Sequence, residues 1–324
     1  KLFKQKGGLY NRANSKIYLK PFTLLETEQY LRKQGFEMER YDIAQAYMIM
    51  GGIPYYLKQL EPGRTLADNI DNCFFKKNGK LWDEFDNLYE TLFDQSEYYL
   101  RIVEALASKR VGLTREELIA LSRLPDNGLT SKALKDLVNC GFVRSCQYYG
   151  RKAKTQTYQL ADYYTSFYLR FIKENYAQDE HFWTHLLDNP KKNSWLGYSF
   201  EQLIKDHIDQ VKQALGIGSV LTQQSSWFIT QRDLNDADIH GARIDLVIDR
   251  RDKAINVCEA KFYGGEFTID KAYSLTLRNK IAAFKSVVNT RKAIVPTMIT
   301  TFGVKTGMYS GSVQQQVVLD DLFV

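Results

Sequence analysis

The chain has 324 residues, of which 44% are hydrophobic and 25% charged, with a net charge of +6. That length exceeds one ordinary core and predicts two or three domains of soluble, globular composition. No run of about 18 apolar residues is present to span a membrane. The four cysteines (Cys73, Cys140, Cys146 and Cys258) have neither metal-ligand spacing nor a disulfide-framework pattern, so a reducing cytoplasm is the expected location.

The first residues, KLFKQKGGLYNR, carry no apolar signal core and no initiating Met, which reads as the middle of a longer protein. The mild excess of positive charge permits nucleic-acid binding without requiring it. Residues 1–92 are expected to be mostly helical. Thr23 and Glu26 form an S/T-x-x-E capping box for a helix that stops at Gly35. The segment DIAQAYMIM predicts a short buried helix ended by Gly51-Gly52. Pro54 then suits the first turn of the next helix. LADNIDNCFF and LWDEFDNLYETLF continue the helical pattern.

Residues 93–176 change character. EYYLRIVEALAS, TREELIALSRL and LTSKALKDLVNCG predict three successive helices, the second opened by a capping box of Thr114 and Glu117. FVRSCQYY and KTQTYQLAD alternate as strands about a turn at Gly150-Arg151-Lys152. Three helices and a β-ribbon predict a winged helix-turn-helix whose third helix is the recognition helix. Lys132 and Lys135, beside Ser131, fall on that helix's polar side. Arg151, Lys152 and Lys154, next to Tyr148 and Tyr149, make the wing basic and aromatic, which suits DNA contact. The same wing is equally expected to pack against a neighbouring domain. DYYTSFYLRFIKENY predicts an aromatic helix leading out.

Residues 177–324 read as α/β. WLGYSFEQLIKDHIDQVKQAL predicts one amphipathic helix with Phe200, Leu203, Ile204, His207, Ile208 and Val211 on its apolar face. SSWFIT is strand-like, and "RIDLVIDRRDKAINVCEAK" predicts a hairpin turning at Asp252. TLRNKIAAFKSVV predicts a helix, and KAIVPTMITT and QQQVVLDDLF late strands. In the hairpin, residues two apart share a face. Asp245, Val247 and Asp249 should face one way and Ile244, Leu246 and Ile248 the other. Asp245 and Glu259 then oppose one another, with side chains about 4.5–5.5 Å apart at Cβ. Such carboxylates repel unless a cation lies between them. Mg²⁺ uses one or two carboxylates plus water, and Lys261 shares the face with Glu259.

An Asp followed one hairpin later by Glu-x-Lys, after a helix bearing a Glu, resembles the PD-(D/E)XK nuclease superfamily. The match is Asp245, Glu259-Ala260-Lys261, and Glu201 in YSFEQLIK. The resemblance implies that Asp245, Glu259 and the Ala260 carbonyl hold Mg²⁺ or Mn²⁺, with Glu201 as an accessory. It implies that Lys261 orients water for in-line attack on a DNA phosphodiester. Ile244 stands where the family keeps a Pro. A second resemblance spans the chain. KGGLYNRANSKIYLKPF, YMIMGGIPYYLKQL, the winged helix and the nuclease-like region are together similar to the C-terminal part of archaeal-type AAA+/STAND ATPases. It implies a helical lid-like remnant over 1–92, and a preceding P-loop domain as partner. No G-x-x-x-x-G-K-[ST] occurs in this chain, so ATP is expected only in the full-length protein, where Arg12 would sense nucleotide. The fold expected is therefore α+β and multidomain: the helical region, the winged helix-turn-helix, and a restriction-endonuclease-like domain with a central mixed sheet.

Other readings of the same residues stand beside these. The Asp245, Glu259 and Lys261 face also fits a salt-bridged polar hairpin, or a degenerate nuclease site that binds DNA without cutting it. Lys271, Tyr273 and Lys280 suit either phosphate contact or a solvated helix face. His181 and His185, with Phe182 in place of the zinc-protease Glu, suit a surface role. His240 lies close before Asp245 and suits either a place lining that site or none in it.

Overall fold

A computed structural model describes residues 18–150, 156–175, 179–186, 189–234 and 239–324. Arg12 and the wing residues Arg151, Lys152 and Lys154 lie outside these. The chain is α+β, and every element grows from a local signal or a tertiary one.

The first helix, α1 (Leu24–Lys33), begins at Thr23, whose side chain accepts from the Glu26 N–H while Glu26 answers the Thr23 N–H. Helix α2 (Arg40–Met50) is buried along nearly its whole second half, from Ile43 to Met50. It ends at Gly51, and Gly52 then meets the Phe22 backbone. A Cβ on Gly52 would lie 2.1 Å from the Phe22 carbonyl oxygen, so this approach admits only glycine. Three short segments follow: α3 (Pro54–Leu57), α4 (Leu66–Ile70) and a π turn at Asp71–Phe75. Helix α5 is Glu84–Leu92 and α6 is Ser96–Ala107.

Helices α6, α7 (Arg115–Ser122) and α8 (Gly128–Asn139) surround a small antiparallel sheet. Its strands are β1 (Leu113–Thr114), β2 (Val143–Cys146) and β3 (Thr157–Leu160), in the order β1-β3-β2. Thr114 and Glu117 make the second capping box. A helical run then passes through α9 (Tyr163–Phe167), a π turn at Tyr168–Ile172 and α10 (Lys173–Asn175), before α11 (Phe182–His185). This aromatic run has a structural purpose. Phe167, Phe171, Trp183 and Trp195 meet with ring centroids 5.2–6.1 Å apart, and each such buried ring contributes about 1.5–3 kcal/mol.

The helix expected to run through His207 divides there into α12 (Pro190–Asp206) and α13 (Ile208–Ala214). His207 leaves helical geometry (φ −109°, ψ 33°). Its buried Nε2 accepts the Leu24 N–H at 2.9 Å, and Nδ1 lies 3.0 Å from the Leu203 carbonyl. The ring is therefore neutral with its proton on Nδ1, and burial holds its pKa below the usual value. A tertiary bond to a helix N-terminus thus overrides the amphipathic period.

The second sheet has five strands in sequence order: β4 (Thr222–Ile229), β5 (Ala242–Arg250), β6 (Ala254–Lys261), β7 (Ala293–Thr300) and β8 (Gln315–Val318). β4, β5 and β6 are antiparallel neighbours, and β6, β7 and β8 are parallel. Helix α14 (Lys271–Val287) makes the crossover from β6 to β7. The sheet is mixed and buried on both faces. Leu246, Ile248, Cys258 and Ala260 join a large cluster with α12 and the helices before it. Ile244, Val247, Ile255 and Val257 join Ala283 and Phe284 of α14.

That grouping corrects the strict alternation expected for β5. Ser225 pairs with Val247, but Trp227 pairs with Ile244, so Asp245 and Leu246 together oppose Ser226. The extra residue is a β-bulge, and it turns Ile244 to the side of Val247. Ser226 Oγ fixes it by donating to the Asp245 carbonyl at 2.8 Å. Among the described residues, no helix is long and apolar enough to cross a membrane.

Candidate active site

The site lies where β5 and β6 run side by side. Their ladder pairs Asp249 with Ile255, Val247 with Val257 and Leu246 with Cys258. Continued one step, it sets Asp245 level with Glu259. Asp245 turns back onto the neighbouring strand, where its Oδ2 accepts the Ala260 N–H at 3.1 Å. Both carboxylates are buried, with Asp245 9% and Glu259 2% exposed. Their placement in β-strands with cores on both sides explains the burial.

Two basic residues meet these acids, one from α14 and one from β5 itself. Lys280 of α14 donates to Glu259 Oε2 at 2.5 Å. Arg243, at the start of β5, pairs with Glu201 of α12 and lies 3.9 Å from Asp245 Oδ1. Lys261 ends β6 half-buried. Its ammonium sits 5.2 Å from the centroid of the Tyr273 ring, a cation–π contact.

The charges remain close enough to perturb one another. Burial, and then Asp245, push Glu259 up to about 7 although Lys280 and Lys261 oppose the shift. Burial and Asp245 also push Glu201 up to about 7, against the pull of Arg243 and the nearby lysines. At neutral pH these two carboxyls hold and release protons readily, the condition suited to acid–base work. Tyr273 is raised too, by burial and then by Glu259 and Asp245, so its hydroxyl stays protonated.

One carboxylate oxygen stands apart. Among the described residues, Glu259 Oε1 is buried and has no hydrogen-bond partner, and neither does the buried Tyr273 hydroxyl. A buried acceptor with negative charge and no donor is costly, and a cation satisfies it. Asp245, Glu259 and the Ala260 main chain therefore fit a divalent ion that takes few protein oxygens and keeps water. Among the described residues, no group of three or more His, Cys, Asp or Glu side chains gathers to hold an ion. Glu201 is engaged by Arg243.

The remaining candidates fall elsewhere. Lys132 and Lys135 are exposed on α8, and Lys271 is exposed on α14. Tyr148 and Tyr149, expected beside the wing, pack against the second sheet instead. Tyr148 bridges to Ser226 and meets Phe228 edge-on. Tyr149 lies against Phe284 and donates to Asp249 at 3.0 Å. His185 Nδ1 lies 2.9 Å from Asp179 in an exposed pair, and His240 is exposed.

Sequence reasoning passed over Arg243 as a member of the site. The signal was present, because Arg243 stands two residues before Asp245 on the same strand. The sequence offers Lys280 as a phosphate contact or a solvated residue, and its ion pair with Glu259 depends on how α14 docks. No family model, no curated protein and no solved structure matches the chain.

Proposed function

We propose that the β5–β6 face is the catalytic face of a metal-dependent phosphodiesterase acting on DNA, in a PD-(D/E)XK-like domain. The observation that carries this reading is Glu259 Oε1, a buried, unbonded carboxylate oxygen beside Asp245. The mixed sheet, with Asp245 on β5 and Glu259-Ala260-Lys261 on β6, supports it. The helices and small sheet over 93–176 support a winged-helix reading of that region. The helices before it support a lid-like remnant of an AAA+/STAND ATPase, whose P-loop domain would supply ATP-driven switching.

Asp245, Glu259 and the Ala260 carbonyl would hold Mg²⁺ or Mn²⁺. Such an ion, when bound, polarises a phosphoryl oxygen and acidifies water. The protein's own groups do the rest. Lys280 fixes one oxygen of Glu259 and so aims the other. Lys261 places a positive charge at the mouth of the face, where it orients the attacking water and offsets charge developing on phosphate. Glu201, paired with Arg243 and raised to about 7, is the group suited to accept the proton that the attacking water loses. A plasmid-nicking assay with Mg²⁺ or Mn²⁺ tests the reading. Cleavage is expected from the native chain and lost in Asp245→Ala and Lys261→Ala; cleavage surviving in both variants sinks it.

A second reading is favoured by one observation: Glu201 and Glu259 already have basic partners in Arg243 and Lys280. On that reading the site is degenerate and the chain is a DNA-binding regulatory module, with Lys132 and Lys135 on the exposed face of α8. Salt-sensitive duplex binding, weakened by Lys132→Ala with Lys135→Ala and untouched by Asp245→Ala, distinguishes it.

A further inference from the structure

Two buried polar atoms, Glu259 Oε1 and the Tyr273 hydroxyl, have no hydrogen-bond partner among the described residues. Buried polar groups are nearly always paired, so each needs an explanation. The two are neighbours, since Lys261, two residues past Glu259 on β6, lies over the Tyr273 ring, and Met298, paired with Glu259 across β6 and β7, belongs to the cluster against which that ring packs; yet they share no hydrogen bond. A third polar group that reaches both would satisfy them.

The tyrosine is held too firmly to seek a partner elsewhere. Its N–H donates to Asp270 Oδ1 at 2.7 Å, the N-cap of α14. Its ring meets Phe267 edge-on with centroids 5.0 Å apart, and Lys261 lies over its face. The ring also packs against the cluster of Ile269, Leu277 and Met298. Such packing fixes the hydroxyl's position before any ligand arrives.

We infer that Tyr273 completes the cation site: its hydroxyl is the hydrogen-bond partner of a water brought in by a hydrated divalent ion bound at Asp245 and Glu259. The inference rests on the reading of that site given above. A site offering two carboxylates leaves most of the ion's shell as water, and those waters need protein partners. Outer partners of this kind are worth about 10–100-fold in metal affinity. Tyr273 is thus a positioning residue that acts through water.

Tyr273→Phe removes the hydroxyl and keeps the ring. Two measurements on the full chain test the inference, and neither is an activity. The first is Mn²⁺ binding by titration calorimetry or by electron paramagnetic resonance of free Mn²⁺. The variant is expected to bind about tenfold more weakly than the native chain. The second is the melting temperature without metal. It is expected to hold or rise, because an unpaired buried hydroxyl contributes nothing favourable. A lowered melting temperature overturns the inference, since the hydroxyl then has a structural partner. Equal Mn²⁺ affinity in both proteins overturns the inference alone. Absence of Mn²⁺ binding by the native chain overturns the metal-dependent reading and the inference with it.

Discussion

Lys280 binds one oxygen of Glu259 at 2.5 Å and leaves the other oxygen of the same carboxylate buried and unbonded. The pair is half satisfied, and both halves have consequences. Lys280→Met should destabilise the fold by about 3 kcal/mol at pH 8, where Glu259 is ionised and loses the counter-charge bonded to it. At pH 5 the carboxyl is protonated and the cost should shrink. Urea unfolding at the two pH values measures the difference; equal losses would show that Lys280 stabilises through packing alone.

Glu201 and Glu259 both titrate near 7 in the folded chain, above the ordinary carboxyl value. The folded state therefore binds more protons than the unfolded chain between about pH 4.5 and 7. Their contribution to stability is fully present below that window and is lost as pH rises through it. Glu259→Gln should flatten the decline. The check is the melting temperature of both proteins across pH 4–8 without divalent metal.

The same protons compete with a cation. Mn²⁺ affinity should climb as pH rises toward 7 and level off above it, because binding needs the carboxylates ionised. Glu259→Gln and Asp245→Asn should each lower affinity by at least about tenfold. Titration calorimetry in two buffers of different ionisation enthalpy also counts the protons released. A pH-independent affinity would contradict a site built on Glu259.

Lys261→Ala should reduce the metal-dependent nicking rate by about 100-fold while leaving Mn²⁺ binding nearly intact. Lys261 lies over Tyr273 and touches neither acid in an ion pair. Loss of binding along with rate would assign it to holding the ion and not to the chemistry.

Gly52→Ala should destabilise the helical region by about 2–4 kcal/mol, because the added methyl meets the Phe22 backbone and not a flexible side chain. Differential scanning calorimetry reads it directly. An unchanged melting temperature would mean that the Phe22–Gly52 contact opens freely.

Both capping boxes, the helices they start and the hairpin register that levels Asp245 with Glu259 were legible in the sequence, because each follows from residues a few positions apart. The bulge at Asp245–Leu246 was not. It depends on how β4 pairs, and Ser226 lies 19 positions before the carbonyl it holds. The break at His207 was equally hidden, since its partner Leu24 is 183 residues away. The two tyrosines of the expected wing show the same limit. Basic-aromatic composition suits nucleic acid and a neighbouring sheet alike, and only packing decides that Tyr148 and Tyr149 meet the sheet.

The Leu24–His207 bond also has a mechanical meaning. His207 follows Glu201 by six positions, roughly 9 Å along the helix axis, and α12 runs unbroken up to Asp206. The start of α1 and the carboxyl beside the β5–β6 face are therefore attached to a single stiff rod. A tilt of the helical region carried through that bond would move Glu201 against Arg243, so that the acidic face would take its posture from the region that precedes it.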